Sequence, residues 1–251
     1  EEGRVKIKNF VVKDFSKDIG EEDKVYLDGK PITRKDESMY TIIVYNKQKG
    51  ELTTKRDDKG RTTIYHTLSS RYKHFITVGR LDFASEGLLL LSDTPKVVDF
   101  LSNSDLPRTY KVKLNGVVTK EMIEAMEKGI VLEDATKGAH KQTDIKSMTI
   151  KPIEKYEIQK NGKTYSTLKV TISEGQNREL RRFFGYFDRD VLDLKRVSFG
   201  EIELNNLPSG KSRYLTRKEY RYVRDLMKDA EKKSNKKAEK IERLEKKVDK
   251  K

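Results

Sequence analysis

Residues 79–93 read Gly79-Arg80-Leu81-Asp82-Phe83-Ala84-Ser85-Glu86-Gly87-Leu88-Leu89-Leu90-Leu91-Ser92-Asp93. The run of leucines predicts a strongly apolar strand, and it directly follows a turn bounded by glycines. The turn carries two carboxylates and an arginine. A carboxylate held at the start of a rigid strand is well placed to act on a substrate. The alternative is that Asp82 caps the turn and pairs with Arg80, which would make it a structural residue.

Strands and helices are predicted on both sides of this stretch. Before it, the β-branched and aromatic run 39–45 is typical of a buried strand. After it, Thr94 is suited to cap a helix with Pro95 at its first position. Further elements are strands at 109–114, 164–173 and 191–204, and a helix capped by Thr119 and ended by Gly129.

Two later segments have the period of helices. In residues 177–187 the apolar side chains recur at helical spacing, with arginines on or near the other side. The apolar set is Leu180, Phe183, Phe184 and Phe187, and the basic set is Arg178, Arg181 and Arg182. This pattern predicts an amphipathic helix with a guanidinium face. A capping box formed by Thr216 and Glu219 predicts the start of the last helix.

The composition favours a polyanionic partner. The chain of 251 residues has 55 Lys and Arg against 41 Asp and Glu, which gives a formal net charge of +14. It contains no cysteine, which excludes thiolate metal sites, disulfides and cysteine nucleophiles. No apolar run approaches the roughly 20 residues that a membrane-spanning helix needs. We therefore expect no membrane partner.

Familiar cofactor and metal motifs are missing. The sequence has no phosphate-binding G-x-x-x-x-G-K-[ST] loop, no dinucleotide-binding G-x-G-x-x-G and no zinc deaminase signature. The histidines, His66, His74 and His140, do not have the spacing of metal ligands. No metal site is predicted.

Charge and element patterns divide the chain into three parts. Residues 1–33 contain a strand over 4–12 and a short strand with an Asp-Gly turn over 25–32, which cannot bury a useful core alone. A charged linker at 34–37 leads to the main domain, 38–230. Residues 231–251 form a basic tail, interpreted as a solvated helix or a disordered end.

Three blocks, in order and spacing, resemble the signatures of one enzyme family. Residues 79–92 resemble the catalytic signature of the RsuA/RluB family of ribosomal-RNA pseudouridine synthases. Arg108-Thr109-Tyr110-Lys111-Val112 resembles the family's Lys-Thr-Tyr-x-Val strand. Glu174-Gly175-Gln176-Asn177-Arg178-Glu179-Leu180-Arg181-Arg182 resembles its Glu-Gly-x-Asn-Arg helix. The last block and the basic tail look most like the large-subunit RluB type, and the resemblance spans about 40–220.

The resemblance implies a fold and a domain plan. The expected class is α+β, the pseudouridine synthase fold, with a mixed, largely antiparallel sheet and packed helices. Members of the family usually carry an S4-type RNA-binding domain first, and residues 1–33 resemble the end of that module.

The resemblance also implies the reaction and its residues. Uridine becomes pseudouridine without redox change or energy input, so no cofactor is expected. Asp82 would be the nucleophile or would stabilise charge at C1′ of the ribose. Arg181 would pair with it, although it could instead bind phosphate or face solvent. Tyr110 would stack on the flipped uracil, or simply pack in its strand.

Arg80 and the third block are the expected RNA contacts. Arg80 could contact the displaced base or could hold a carbonyl group. The other residues expected to contact RNA are Asn177, Arg178 and Arg182. The predicted substrate is 23S rRNA or a ribosome assembly intermediate, and we expect a cytoplasmic monomer. The alternatives are a small-subunit (16S) enzyme, or a non-catalytic RNA-binding assembly factor.

Overall fold

The computed structural model describes residues 3–8, 10–14, 19–20, 23–32, 40–140 and 143–248. Within the last helix, the side chains of residues 217–233 and 236 are described. The chain divides into two compact units, Glu1–Met39 and Tyr40–Lys251. The predicted linker at 34–37 lies outside the described residues.

The described part of the first unit is a small antiparallel sheet. Its strands are β1 (Val5–Ile7), β2 (Phe10–Val11), β3 (Val25–Leu27) and β4 (Lys30–Ile32), in the order β2-β1-β3-β4. The single strand predicted over 4–12 is wrong, because β1 and β2 pair as a hairpin with Lys8 at a φ of 54° between them. The Asp-Gly turn is confirmed: Asp28 and Gly29 both have positive φ and join β3 to β4.

The second unit combines a large sheet with helices and short connecting strands. Its strands are β5 (Ile42–Lys47), β6 (Ile76–Thr77), β7 (Glu86–Ser92), β8 (Arg108–Asn115), β9 (Ile130–Leu132), β10 (Met148–Ile150), β11 (Lys155–Asn161), β12 (Tyr165–Ile172), β13 (Val191–Phe199), β14 (Ile202–Glu203) and β15 (Ser212–Tyr214). Its helices are α1 (Ile64–Thr67), α2 (Pro95–Ser102), α3 (Lys120–Lys128), α4 (Glu179–Tyr186) and α5 (Arg217–Val248), and Ser70–Tyr72 form a short 3₁₀ turn.

The main sheet is mixed and largely antiparallel, as expected. Its strand order is β11-β12-β8-β13-β7-β5-β15, with β14 beside β13 and β6 beside β7. Among the described strands, β13 and β7 form the one parallel pair, with Arg196 opposite Gly87. β9 and β10 form a separate two-stranded sheet in the same part of the chain.

The leucine run lies at the centre of this sheet and serves two cores. Leu88, Leu89, Leu90 and Leu91 are all fully buried. Because successive side chains point to opposite faces, Leu89 and Leu91 join the core with α3 and α4, while Leu88 and Leu90 join the core with α2 and α5. β7 is therefore packed on both faces, and the turn that precedes it is attached to a rigid strand.

The predicted helix starts are confirmed. Thr94 precedes Pro95 at the start of α2, and the Thr119 hydroxyl accepts a hydrogen bond from Met122 N in α3. In the capping box of α5, the Glu219 carboxylate accepts from Thr216 N at 2.7 Å. α5 continues to Val248, so the helix extends into the segment predicted as a separate tail. In the described part of the chain, every helix is too short or too polar to cross a bilayer.

Candidate active site

A cleft of about 1170 Å³ opens beside the turn that precedes β7. Its wall includes the predicted residues Arg80, Asp82, Tyr110, Asn177 and Arg178. Other contributing segments include the end of α2, the end of β12 and the first residues of α4. Residues separated by almost 100 positions in the sequence thus meet at one concave surface.

Asp82 lies in a tightly held turn. Ser85 N donates to Asp82 O at 3.0 Å, and Gly50 N donates to Phe83 O at 2.7 Å. The Lys47 ammonium donates to the carbonyl oxygens of Asp82 at 3.0 Å and of Ser85 at 2.8 Å. It also donates to Gln48 O at 2.9 Å. The backbone on both sides of Asp82 is therefore fixed by a residue from the neighbouring strand.

Lys47 is fully buried at the end of β5. Burial lowers the pKa of its ammonium group to about 8, against the opposing effect of the carboxylates of Glu51, Asp82 and Glu86. Lys47 is not among the site residues predicted from the sequence. A lysine that ends a buried, β-branched strand is the signal that could have identified it, because such a charge needs partners.

Two arginines of α4 and its N-cap approach the Asp82 carboxylate. Arg178 Nη1 is 3.3 Å from Asp82 Oδ2, and Arg181 Nε is 3.9 Å from the same oxygen. The side chain of Asp82 retains 32% exposure, whereas that of Arg181 retains 9%. Asp82 is thus accessible from the cleft while a buried cation lies behind it. The alternative pairing with Arg80 is not the one this structure shows.

Arg181 is anchored to the walls of the turn. Its Nη1 donates to Val191 O at 2.9 Å, and its Nη2 donates to Ala84 O at 3.1 Å and to Ser85 Oγ at 3.3 Å. Its Nε is buried without a hydrogen-bond partner. The negative charge of the Asp82 carboxylate, 3.9 Å away, partly offsets the cost of burying this positive group. Burial, followed by the charge of Arg178, lowers the pKa of Arg181, and Asp82 opposes this.

Arg178 is positioned by an unusual backbone conformation. As the N-cap of α4 it has a φ of 54°, in the left-handed region. Its Nε donates to Gly138 O at 2.9 Å while its Nη1 faces Asp82. Arg178 was expected to bind RNA, and in this structure it also forms the shorter of the two contacts to the carboxylate.

Tyr110 is mostly buried in β8, with 8% of its surface exposed. It belongs to the larger core and also lines the cleft, so both functions suggested for it are compatible with its position. Arg108, two residues before Tyr110 in β8, also lines the cleft, and its guanidinium group lies 5.0 Å from the Phe199 ring. Arg108 donates to Ser173 O and Ser104 O, and so ties together two loops of the cleft.

The burial of Arg182 contradicts the prediction that it contacts RNA. It is 1% exposed, so the expected guanidinium face of α4 does not include it. Its donors bind Asn177 O, Ala135 O, Ile145 O, Thr143 Oγ1 and Asn177 Oδ1. Arg182 therefore fastens Ala135, Thr143 and Ile145 onto α4, and its buried guanidinium group does not face the cleft. The same bonds hold Asn177, which is exposed at the cleft.

Replacing Arg182 with Lys is expected to lower the free energy of unfolding by about 2 kcal/mol. Lysine keeps the charge but has three donors on one nitrogen, so it cannot reach acceptors on both the loop and Asn177. The remaining buried carbonyl groups lose their partners. Urea unfolding followed by circular dichroism measures the change.

The matched control is Arg221→Lys on the exposed side of α5. It is expected to change stability by less than about 0.5 kcal/mol. Equal effects of the two substitutions would contradict the structural role given to Arg182.

No cation site is evident in the described residues. No group of three or more His, Asp or Glu side chains in them is arranged to hold a metal ion.

The chain is similar to known proteins over most of its length. Residues 41–186 match the profile of a family described as RNA pseudouridylate synthase. A Helicobacter pylori protein described as an "uncharacterized RNA pseudouridine synthase" is 50% identical over 91% of this chain and 87% of that protein. A Bacillus subtilis protein named ribosomal large subunit pseudouridine synthase B is 30% identical over 90% of this chain and 87% of that protein.

The fold is similar to that of a solved structure. A crystal structure described as a pseudouridylate synthase matches with a TM-score of 0.63 at 26% sequence identity. The match covers 88% of this chain and 89% of that one.

Proposed function

The chain belongs to the RNA pseudouridylate synthase family, and we propose that it converts uridine to pseudouridine at a site in large-subunit ribosomal RNA. The observation that carries the proposal is the Asp82 carboxylate, accessible from a cleft and flanked by Arg178 and Arg181. The choice of large-subunit RNA is supported by similarity to the Bacillus subtilis protein, whose name gives that substrate.

The reaction rearranges one nucleotide without loss of atoms. The C1′–N1 bond breaks, the uracil turns, C1′ joins C5, and a proton leaves C5 while N1 gains one. Breaking a glycosidic bond develops positive charge at C1′, which a carboxylate can stabilise or trap covalently. Asp82 is proposed as that carboxylate. No redox partner or energy source is needed.

The flanking arginines place positive charge beside Asp82. RNA phosphates repel a nearby carboxylate, and the adjacent guanidinium groups offset that repulsion. Arg181 is proposed as the permanent counter-ion, because it is buried and tied to the turn through Ala84 and Ser85. Arg178 faces the cleft, so it is available both to Asp82 and to a phosphate.

The target nucleotide has to leave its helix before C1′ can reach Asp82. Extruding a base costs about a few kcal/mol, which contacts to the flipped base and to phosphates must offset. Tyr110 is proposed to contact the uracil from the floor of the cleft. Arg80, Asn177 and Arg178, which line the opening, are proposed to bind the flanking RNA.

We propose that the first unit acts as an S4-type RNA-binding module and that the basic tail adds non-specific RNA affinity. Because the proposed substrate is ribosomal RNA, we propose that the enzyme acts in the cytoplasm. We also propose that it acts as a monomer.

Mapping pseudouridines in ribosomal RNA tests the proposed function. Large-subunit RNA from cells lacking the gene should lose pseudouridine at one or a few positions, and the purified protein should restore it on a transcript. An unchanged map of the large-subunit RNA would overturn the proposal. Loss at a small-subunit position would reassign the substrate.

Lys47→Met is expected to lower kcat about 10²-fold while RNA affinity changes little. The substitution keeps an unbranched side chain but removes the donors to the carbonyl oxygens of Asp82 and Ser85. The turn then loses its fixed position, and the carboxylate no longer meets C1′ at the productive distance. Single-turnover kinetics at saturating RNA measure kcat, and filter binding measures affinity.

The pH profile separates this role from a general loss of structure. The ammonium form has three N–H donors and the neutral amine has two, so the Asp82 turn is fully held only below a pH of about 8. Wild-type kcat should therefore fall as pH rises through that value, and Lys47→Met should lack this step. Lys49→Met, at an exposed lysine two residues after Lys47, should keep it. A step of equal size in Lys47→Met would refute the assignment.

A further inference from the structure

A row of charged side chains crosses the main sheet. Lys111 of β8 lies directly opposite Lys169 of β12 on one side and Lys195 of β13 on the other. The row continues to Glu157 opposite Lys169 and to Glu86 opposite Lys195. We call Lys169, Lys111 and Lys195 the lysine row. Adjacent strands are about 4.8 Å apart, so the row places three positive charges side by side.

The lysine row lies on the face of the sheet away from the cleft. Lys111 stands between Tyr110 and Val112, and both of these belong to the larger core. Lys169 likewise stands between the buried Leu168 and Val170. Because successive side chains of a strand point to opposite faces, the lysines project to the other side. None of the three lines the cleft.

This arrangement is unfavourable for the isolated protein. Like charges directly opposite each other on neighbouring strands destabilise a sheet. The repulsion at Lys195 is offset by Glu86, whose carboxylate is 3.7 Å from the Lys195 ammonium group. For Lys111 and Lys169, both exposed, the described part of the chain provides no ion pair within 4 Å. Glu157 lies opposite Lys169, but Lys111 has a lysine opposite it on each side, so the middle of the row faces no carboxylate across either strand pair.

The positive surface continues toward the edge of the sheet. Lys113, two positions after Lys111 on the same face, lies 4.5 Å from the centre of the Tyr165 ring. Lys160 of β11 lies 3.7 Å from the same ring. The positive surface therefore extends from the lysine row to Lys113 and Lys160, which pack against one aromatic ring.

We propose that the lysine row is a second RNA-docking site, which binds the phosphate backbone of a segment outside the target nucleotide. The inference rests on the proposed function for the identity of the polyanion. Lysines act as point charges toward phosphate without reading sequence, which suits a contact that positions a large RNA. A row along the hydrogen-bonding direction of the sheet fits an extended backbone better than a single anion.

The test replaces Lys111, Lys169 and Lys195 together with glutamine and measures binding to a large-subunit RNA transcript. The expected loss of affinity is about tenfold or more at about 0.1 M salt, because each phosphate contact releases counter-ions. The slope of log K against log salt should become less negative by about 2 to 3. Replacing the same lysines with arginine should retain both the affinity and the slope.

The control removes the same charge elsewhere. Lys73, Lys120 and Lys128 are exposed and do not line the cleft, so their combined change to glutamine should affect affinity much less. Equal losses for the two glutamine sets would overturn the proposal, because net charge alone would explain them. Unchanged transcript binding with lost association to ribosomal particles would also overturn it, since the partner would then be a protein.

Failure of the docking site and failure of the proposed function give different results. Transcript binding is measured without catalysis, so it reports on the row even if the protein modifies a different RNA. At saturating RNA, the kcat of the glutamine variant should equal that of the wild type. A normal affinity with a lost kcat would contradict the inference and would point to an effect on the cleft.

Discussion

Asp82→Asn should abolish pseudouridine formation, with a fall in rate of at least about 10⁴-fold, while RNA binding is retained. Asparagine has the same shape, so the turn held by Lys47 and Ser85 is expected to persist. It cannot supply the negative charge or the nucleophilic oxygen that C1′ requires. Removal of a carboxylate near the phosphates should leave RNA affinity equal or somewhat higher.

Release of tritium from C5-labelled uridine in a transcript measures the rate, and gel shift measures binding. Asp82→Ala should lose the same activity, which guards against regeneration of aspartate by deamidation. The control is Asp188→Asn, at an exposed carboxylate that pairs with Lys137 outside the cleft. It should retain full activity. Appreciable turnover by Asp82→Ala would rule out Asp82 as the nucleophile.

The centre of the fold follows directly from local sequence. The leucine run predicts the strand β7, and the caps at Thr94, Thr119 and Thr216 predict where three helices begin. These features depend on residues close together in the chain, so periodicity and capping chemistry are sufficient. The hairpin of β1 and β2 was not predicted, because a left-handed Lys8 leaves no mark in a pattern of alternating polar and apolar residues.

Burial of the arginines could not be read from the helix pattern. A period of 3.6 places Arg182 away from the apolar face, but it cannot show that a loop 40 residues earlier covers that side. Lys47 presents the same difficulty, since the carbonyl groups of Asp82 and Ser85 that it binds lie in the turn before β7, more than 30 residues later. The resemblance identified Asp82 and Arg181 by their motifs. The closer contact of Arg178 depends on its left-handed backbone and required the structure.

The parallel pairing of β7 and β13 is another long-range feature, and it gives Gly87 a specific structural role. Gly87→Ala should lower the free energy of unfolding by at least about 3 kcal/mol. A Cβ atom at Gly87 would lie 2.2 Å from the carbonyl oxygen of Arg196 and 2.8 Å from its nitrogen. Both contacts are with the backbone of a paired strand, so neither can be relieved by a side-chain rotation. The φ of 104° adds strain for any residue with a side chain.

Gly60→Ala separates the two causes. Gly60 also has a positive φ, 67°, but a Cβ atom there would meet nothing within 4 Å. Gly60→Ala should lower the free energy of unfolding by about 1 kcal/mol, which is the cost of the left-handed conformation alone. Urea unfolding compares the two variants, and a low yield of folded Gly87→Ala protein beside normal Gly60→Ala counts as the same result. If both substitutions cost the same, the close approach of β13 to β7 is not what requires glycine.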